Sequence, residues 1–221
     1  MTGAEAFSAL LRRRWSCRAF RPDPVPREVI AAMVDDAARV PTWNNVQPWG
    51  VIVTQPEETE RFRQHLLAEV PKASPAPDLE FPKRYEGIYK QRRFDCAMQL
   101  YEAVGCVGDR EASARQSMRN FALFDAPHVM ILHSPVALGP YGALDCGAFA
   151  TAFALAAEAR GLGSIVQAAL STFSPLVRGF FDIPEDRMMV CAVSFGHPDP
   201  DDPVNAYRTP RAPASEVIDW R

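Results

Sequence analysis

The sequence predicts a single domain of mixed α-helical and β-strand structure. Its 221 residues are 48% apolar, which is enough to fill one core of generous size. Long segments with apolar side chains at helical spacing are separated by short apolar runs rich in Val and Ile, the pattern of buried strands. No repeat, low-complexity tract or linker interrupts the chain, so we expect one domain over residues 1–221.

The first two helices are marked by the residues at their ends. Thr2 and Glu5 form a capping-box pattern that begins the first helix. This helix ends in a run of arginines, and we favour a helix-end role for Arg12 and Arg13 because cations suit the C-terminal end of the helix dipole. Pro26 is well placed as the first residue of a second helix. The other predicted elements are a strand at 50–54, helices at 57–68, 86–104 and 110–124, a strand at 129–133, a helix at 143–159, a connection at 164–170, a short helix from Pro175 and a strand at 188–195.

Two segments are expected to extend away from the core. Residues 71–82 contain four prolines and cannot continue as regular structure. With the helices that follow, we interpret residues 71–115 as a helical excursion or lid. The tail over residues 197–221 is polar and rich in proline, yet it ends in Val217, Ile218 and Trp220. Because an apolar terminus needs a cover, we expect this tail to wrap around a second subunit.

The helix predicted at 143–159 is apolar on nearly all sides. Eight of its seventeen residues are alanine, and such a helix has to be covered all round. Small side chains allow close helix packing, so we expect a central helix at a subunit interface. Asp145, Glu158 and the shortness of the segment argue against a membrane span, which needs about 20 apolar residues.

Charge and cysteine content exclude several classes of function. The net charge is -3, with 24 basic and 27 acidic residues well mixed, which gives no support to a nucleic-acid or membrane partner. Five cysteines without paired spacing, and an N-terminus without an apolar signal segment, indicate a cytoplasmic protein with reduced thiols. His128 and His133, five apart on a strand, would point to opposite faces, so no metal site is predicted.

Basic and hydroxyl side chains alternate just after the first helix. If residues 14–18 are extended, Arg14, Ser16 and Arg18 point to the same side and can surround one ligand group. Guanidinium groups and a hydroxyl are suited to phosphate oxygens. The alternative is a solvated basic turn.

A second motif occupies residues 41–49, where amide side chains lie between two prolines. Asn45 and Gln47 each offer an acceptor and two donors, which suits the mixed edge of an isoalloxazine ring, while the prolines fix the path of the chain. The alternative is ordinary turn-forming polarity, since Asn is common in turns.

These two motifs and the tail segment 207–213 resemble the FMN-dependent nitroreductase family, and the 71–115 region, with Tyr85, Tyr89 and Arg92-Arg93, resembles its nitrobenzoate-reductase-like branch. The family begins with R-x-S-x-R/K-x-F and continues with P-S-x-x-N-x-Q-P-W, and here Thr42 stands where Ser is usual. The resemblance implies a nitroreductase-like α+β fold, with a central, mostly antiparallel sheet wrapped by helices, and an intertwined homodimer. It places Arg14 and Ser16 at the FMN phosphate, Arg18 at the pyrimidine edge, and the 41–49 loop in the other subunit's site. The cofactor-binding residues implied are Arg14, Trp15, Ser16, Arg18, Pro41, Thr42, Trp43, Asn45, Gln47, Arg208 and Arg211.

The resemblance also implies the reaction. NADH or NADPH would reduce FMN, and a nitroaromatic or similar electron-poor acceptor would then take a hydride over the same face, in a two-electron ping-pong sequence without a catalytic nucleophile. We expect Trp43 and Tyr85 to contact a small aromatic acceptor. Arg119 and Asn120 both fit a polar position near the ring, and residues 163–171 lack the family's frequent acidic residue. Alternatives are a quinone or ene reductase, a reductive dehalogenase, a flavin-destroying enzyme and a non-catalytic flavin store.

Overall fold

Four antiparallel strands form the centre of the molecule. The computed structural model describes residues 1–221, and its strands are β1 (Gly50–Val53), β2 (His128–Pro135), β3 (Gly163–Gln167) and β4 (Arg187–Gly196). They lie in the order β1-β2-β4-β3, and every neighbouring pair is antiparallel. The prediction of an α+β fold with a mostly antiparallel sheet is therefore confirmed.

Eight helices surround this sheet. They are α1 (Gly3–Arg13), α2 (Arg27–Ala37), α3 (Pro56–Glu69), α4 (Gly87–Ala103), α5 (Arg110–Met118), α6 (Gly139–Ala159), α7 (Ser174–Phe181) and α8 (Ala214–Val217). The predicted capping box begins α1, where the Thr2 hydroxyl accepts from the Glu5 N–H and the Glu5 carboxylate accepts from the Thr2 N–H.

The two faces of the sheet bury separate apolar clusters. Along β2, Met130 and Leu132 pack with α2 and α6, whereas Val129 and Ile131 face the cluster of Phe62 and its neighbours from α3 and α7. This alternation is the two-residue period of a strand covered on both sides. The sheet is thus a middle layer that is covered on both faces. A ligand site can therefore form only from the helix ends and loops at its margins.

Helix α6 is the central helix of the larger cluster. It ends at a left-handed glycine, Gly161 (φ +73°), and the Leu162 N–H bonds back to the Ala157 carbonyl at 2.9 Å. With the turn before it, the segment Val136–Ala159 has 24 residues, and its length and composition alone would allow it to cross a membrane, which is also true of core helices. Half of its most apolar stretch is buried within the fold, and Leu144 is 68% exposed on the uncovered face.

Two elements differ from those predicted. Residues 163–167 form strand β3, where a connection was expected, because they pair with β4 along their whole length. Helix α5 ends at Met118 instead of continuing to 124. Leu123, Phe124 and Asp125 have positive φ values of 54°, 52° and 60°, and the first two side chains are buried. Tertiary packing has overridden helical periodicity here.

The segment 71–115 divides into an anchored part and a protruding part. The Asp78 carboxylate accepts from the Met189 N–H at 2.8 Å and pairs with Arg178, and the Ala76 N–H bonds to the Thr172 carbonyl at 2.8 Å. Helices α4 and α5 beyond this point contain no buried residue. A lid function for the segment stays a prediction.

A buried histidine links the start of α2 to the edge of the sheet. His128 Nε2 accepts from the Val25 N–H at 2.9 Å, so Nδ1 carries the proton and donates to the Thr54 carbonyl at 2.9 Å. The ring also stacks on Phe195. Burial lowers the pKa of His128, and the nearby His197 lowers it further. The folded protein therefore holds this side chain in its neutral form.

Candidate active site

The segment after α1 runs beside β3 in an extended form. Ser16 forms a parallel bridge with Ser164, and the Cys17 N–H donates to the Ser164 carbonyl at 3.0 Å. The Cys17 side chain is fully buried, whereas Arg14, Ser16 and Arg18 border a common cavity. The sequence-based expectation that these three side chains meet one space therefore agrees with the geometry.

This cavity has a volume of about 1060 Å³, at the upper end of the range for small-molecule sites. The end of α1, one side of α4 and the tail around residues 207–217 form its walls. Six residues of the predicted cofactor set line it, and they are Arg14, Trp15, Ser16, Arg18, Arg208 and Arg211. Chain segments almost 200 residues apart in sequence thus converge on one space.

The cavity carries a strong excess of positive charge. Six arginines line it, against two carboxylates, Asp95 and Glu216. Glu216 is already paired with Arg92 at 3.3 Å. Burial lowers the pKa of Arg14, and the positive charge of the neighbouring Arg211 lowers it further, whereas Glu158 raises it. Such an arrangement is stabilised by a bound anion, and a phosphate fits the fork geometry of guanidinium groups.

The two tail arginines are held in place by backbone carbonyls. Arg208 Nη1 donates to the carbonyls of Asn205 and Tyr207, both at 2.8 Å, and its guanidinium lies 4.1 Å from the centre of the Trp15 ring. Arg211 Nη1 donates to the Thr209 hydroxyl at 3.0 Å. In each case one terminal nitrogen makes the hydrogen bonds, and the other donors of the guanidinium are left for a ligand.

Arg18 and Tyr207 form a second polar group in the wall. Arg18 Nη1 donates to the Ser16 carbonyl at 3.1 Å, and its guanidinium lies 5.7 Å from the centre of the Tyr207 ring. The Tyr207 hydroxyl is buried and has no hydrogen-bond partner. Burial raises the pKa of Tyr207, so the phenol is neutral and can donate. A buried, unpaired hydroxyl beside cations fits a ligand with polar oxygen or nitrogen atoms.

Three of the buried thiols are held in the protonated form. Burial raises the pKa of Cys17 to about 12, and the same cause raises the pKa values of Cys146 and Cys191 to about 12. These thiols stay protonated at neutral pH, and a thiol is a weak nucleophile compared with its thiolate.

The 41–49 loop lies outside this cavity in the single chain. Pro41, Thr42, Trp43, Asn45 and Gln47 do not line it. Residues Trp43–Asn45 form a short 3-10 turn next to α6, and the Trp43 ring lies 5.0 Å from the Tyr141 ring. Trp43 is 60% exposed, so it is not a core residue of the chain. One chain does not unite the two motifs, and the flavin contacts of this loop stay a prediction.

The remaining candidate residues are dispersed. Tyr85 does not line the cavity, and Arg93 covers its ring at 5.3 Å. Arg119 pairs with Asp125 at 2.8 Å, and the Asn120 carbonyl accepts from Gln167 Nε2 at 2.9 Å, so Arg119 and Asn120 contact protein groups. Sequence reasoning missed Arg12, Tyr207 and one face of α4, formed by Ile88, Arg92, Asp95 and Cys96. The helical spacing of that α4 face was a signal that could have been used.

An arginine-lined cavity at the side of an antiparallel sheet is typical of the class of proteins that bind a phosphorylated cofactor. Comparison with known proteins narrows this class. Residues 11–197 match the Nitroreductase family, and the chain belongs to that family.

Two similar proteins of known activity match almost the whole chain. A nitroreductase, NfnB, of Mycolicibacterium smegmatis is 33% identical over 218 residues, which are 97% of this chain and 92% of the relative. A 4-nitrobenzoate reductase of Nocardioides sp. is 34% identical over 229 residues, with 97% and 89% covered. The crystal structure of the FMN-dependent nitroreductase NfnB from Mycobacterium smegmatis, in complex with NADPH, superposes with a TM-score of 0.93 at 31% identity over 99% of each chain. These similarities confirm the predicted family and fold.

Proposed function

We propose that this protein is an FMN-dependent oxidoreductase that uses NADH or NADPH to reduce nitroaromatic or similar electron-poor acceptors. The observation that carries the proposal is the arginine-lined cavity, in a chain that belongs to the Nitroreductase family. Its relatives include nitroreductases and 4-nitrobenzoate reductases. FMN, when bound, supplies a ring that accepts a hydride from the reduced nicotinamide and gives it to the acceptor.

The side chains of the cavity divide the work of holding such a cofactor. Arg14, Ser16 and Arg211 would bind the phosphate, since they combine fixed cations with a hydroxyl. Arg18 would lie at the pyrimidine edge, where a cation stabilises the negative charge of the reduced ring. Arg208, whose guanidinium lies 4.1 Å from the centre of the Trp15 ring, would close the side of the site. No side chain has to act as a nucleophile, and the protein contributes orientation and electrostatics.

We further propose a homodimer in which the 41–49 loop of each chain completes the cavity of the other. Three observations support it. Asn44, Asn45 and Gln47 of the loop are exposed, Tyr141 and Leu144 on α6 are exposed, and the tail ends in exposed apolar residues such as Trp220. Tyr141 and Leu144 lie one turn apart on α6, and exposed apolar clusters of this kind are typical of subunit interfaces. The five free cysteines fit a cytoplasmic location.

Anaerobic reduction tests the activity directly. The purified protein, loaded with FMN, should lose its yellow colour on adding NADH or NADPH, and a nitroarene should restore the colour with stoichiometric loss of the acceptor. A protein that takes up no FMN would refute the cofactor assignment. A yellow protein that neither nucleotide bleaches would instead be a flavin store.

Mixed dimers test the shared site. Arg211→Ala and Asn45→Ala chains, each with its own tag, are expressed together and the heterodimer is isolated. If each site uses Arg211 from one chain and Asn45 from the other, one site is doubly altered and the other is wild type. The heterodimer should then bind close to one FMN per dimer with wild-type affinity. Two sites that each show the reduced affinity of one single variant would show that each site lies within one chain.

A further inference from the structure

Asp145 is a buried carboxylate in the most apolar helix of the molecule. It is 7% exposed, and Cys146 and Phe149 beside it on α6 are fully buried. The ion pairs of the chain do not include Asp145, whereas Glu158, the other acid of α6, pairs with Arg13. Burial of a carboxylate without a cation is costly, so this side chain requires another compensating interaction.

The compensating interaction comes from the backbone of the 41–49 loop. Asp145 Oδ2 accepts a hydrogen bond from the Trp43 N–H at 3.2 Å. A hydrogen bond to an ionised acceptor is about twice as strong as one between neutral groups. One turn earlier on the same face of α6, Tyr141 holds its ring 5.0 Å from the Trp43 ring. Helix α6 therefore contacts Trp43 in two ways: Asp145 bonds to the Trp43 backbone, and Tyr141 lies beside the Trp43 ring.

The loop needs such an anchor because its backbone is strained. Asn44, Asn45 and Gln47 have φ values of 48°, 56° and 50°. L-residues adopt this left-handed region at a cost, which is lower for Asn than for Gln. Inside the loop, Thr42 Oγ1 accepts from the Gln47 N–H at 3.2 Å, and Gln47 Nε2 donates to the Asn45 carbonyl at 3.3 Å. These bonds close the turn. The bond to Asp145 fastens its start to the fold, and Arg187 Nη2, which donates to the Pro48 carbonyl at 3.4 Å, fastens its end.

We propose that Asp145 is a positioning residue for the redox site. Its carboxylate fixes the 41–49 loop in the conformation that presents the Asn45 amide and the Trp43 ring to the flavin and the acceptor in the second subunit's site. This inference rests on the proposed function. Asn45 is exposed, and its side-chain amide is free of protein hydrogen bonds, so it is available to a ligand. Asp145 lies beneath the loop and acts on it through the hydrogen bond to the Trp43 backbone N–H.

Two substitutions of Asp145 separate the hydrogen bond from the charge. Asp145→Ala removes the acceptor for the Trp43 N–H, whereas Asp145→Asn keeps an oxygen in its place. Asp145→Ala should raise the Kd of FMN and of riboflavin by the same factor, about tenfold, because both ligands share the ring contacts that the loop makes. With FMN saturating, the acceptor KM should rise more than kcat falls. Asp145→Asn should recover most of the affinity and the KM.

Hydrogen exchange measures the anchoring without any flavin. The Trp43 amide should exchange at least about tenfold faster in Asp145→Ala than in the wild type, and nearly as slowly as the wild type in Asp145→Asn. Cys146→Ala is the matched control, since it removes an equally buried neighbour on α6 and reports the effect of lost stability alone. If Asp145→Ala fails to fold, Asp145→Leu carries the same test, because it also removes the acceptor for the Trp43 N–H while filling the buried space with an apolar side chain.

The possible failures are distinguishable. Unchanged exchange at Trp43, or equal losses of flavin in Asp145→Ala and Cys146→Ala at the same decrease in Tm, would overturn the positioning role. Faster exchange with wild-type flavin affinity and acceptor KM would overturn it too, because the loop would be anchored by Asp145 without serving the site. A wild-type protein that binds no flavin would refute the proposed function instead, while the exchange rates would still report the anchor.

Discussion

The arginine-lined cavity and the 41–49 loop are built in opposite ways. The cavity is formed by the end of α1, one face of α4 and the C-terminal tail. Its arginines carry the same charge and therefore repel one another. The loop is local, closed by its own hydrogen bonds and fastened by the buried Asp145 carboxylate and by Arg187, which donates to the Pro48 carbonyl at 3.4 Å. The cavity therefore depends on long-range folding and on a bound anion, whereas the loop depends on backbone geometry. Changes in the two regions should differ in which part of a flavin they affect.

The largest effect is expected from removing a cation of the cavity. Arg211→Ala should weaken FMN binding by about 1.5–3 kcal/mol, the range for a hydrogen bond to a charged group. Riboflavin lacks the phosphate, so its affinity should fall much less. Calorimetric titration of both flavins measures the difference. Arg61→Ala is the control, since Arg61 is an exposed residue of α3 paired with Glu58. Equal losses for both flavins would make Arg211 a structural residue.

The hydrogen bond from the Val25 N–H to His128 is sensitive to acid, because protonation of His128 removes the acceptor. Val25 lies on the chain segment between residues 14–18 of the cavity and the 41–49 loop. The pKa of His128 is lowered in the folded protein, so the unfolded chain binds a proton more readily. The resulting stability is fully present above the pKa of about 6.5 of an unfolded histidine, and it is lost as the pH falls from there through the lower pKa of the folded state. His133 changes in the same direction, because of its burial and Arg187.

Thermal unfolding between pH 8 and pH 5 measures this dependence. One unit of pKa difference corresponds to about 1.4 kcal/mol of unfolding free energy. His128→Gln cannot be protonated, so its Tm should fall less steeply with acid than that of the wild type, although it will be lower at pH 8. A variant whose profile runs parallel to the wild type would assign the acid sensitivity to other groups.

Most of the fold could be predicted from local patterns in the sequence. The capping box of α1, the apolar strands β1, β2 and β4, and the glycine that ends α6 all have short-range signals. Strand β3 was missed because its five residues include Gly, Ser and Gln, and the pairing with β4 that forms it is long-range. The early end of α5 was missed because burial of Leu123 and Phe124 decides it.

Only part of the candidate site could be predicted from the sequence. Alternation predicted that Arg14, Ser16 and Arg18 share one space, because an extended segment places them on one side. Nothing in the pattern of residues places Arg211 beside Arg14, and the family resemblance supplied that expectation. The role of Asp145 was hidden, since an acid in an apolar helix shows its partner only when the loop is folded over it. Contacts between residues far apart in the sequence determine the parts of the site that local patterns do not predict.

A smaller effect should come from the cation predicted at the pyrimidine edge. Arg18→Ala should lower the flavin midpoint potential, because a missing cation destabilises the reduced ring more than the oxidised one. For a two-electron couple, a loss of about 1.4 kcal/mol corresponds to about 30 mV. Arg92→Ala is the control, since Arg92 lines the same cavity but is paired with Glu216. An unchanged potential in Arg18→Ala would place Arg18 away from the ring.

The smallest effect is expected in the loop, at the ring of Trp43. Its exposure and its contact with Tyr141 rule out a core role within one chain, and the choice is between the acceptor and the subunit interface. A flat acceptor stacked on this ring would gain about 0.5–1.5 kcal/mol beyond burial. Trp43→Ala should therefore raise the acceptor KM by about two- to tenfold with FMN content unchanged. Trp43→Phe should restore much of this affinity because it keeps an aromatic face. If Trp43→Ala instead dissociates the dimer, or leaves the KM of every nitroarene and quinone unchanged, the ring serves the interface and the acceptor is held elsewhere.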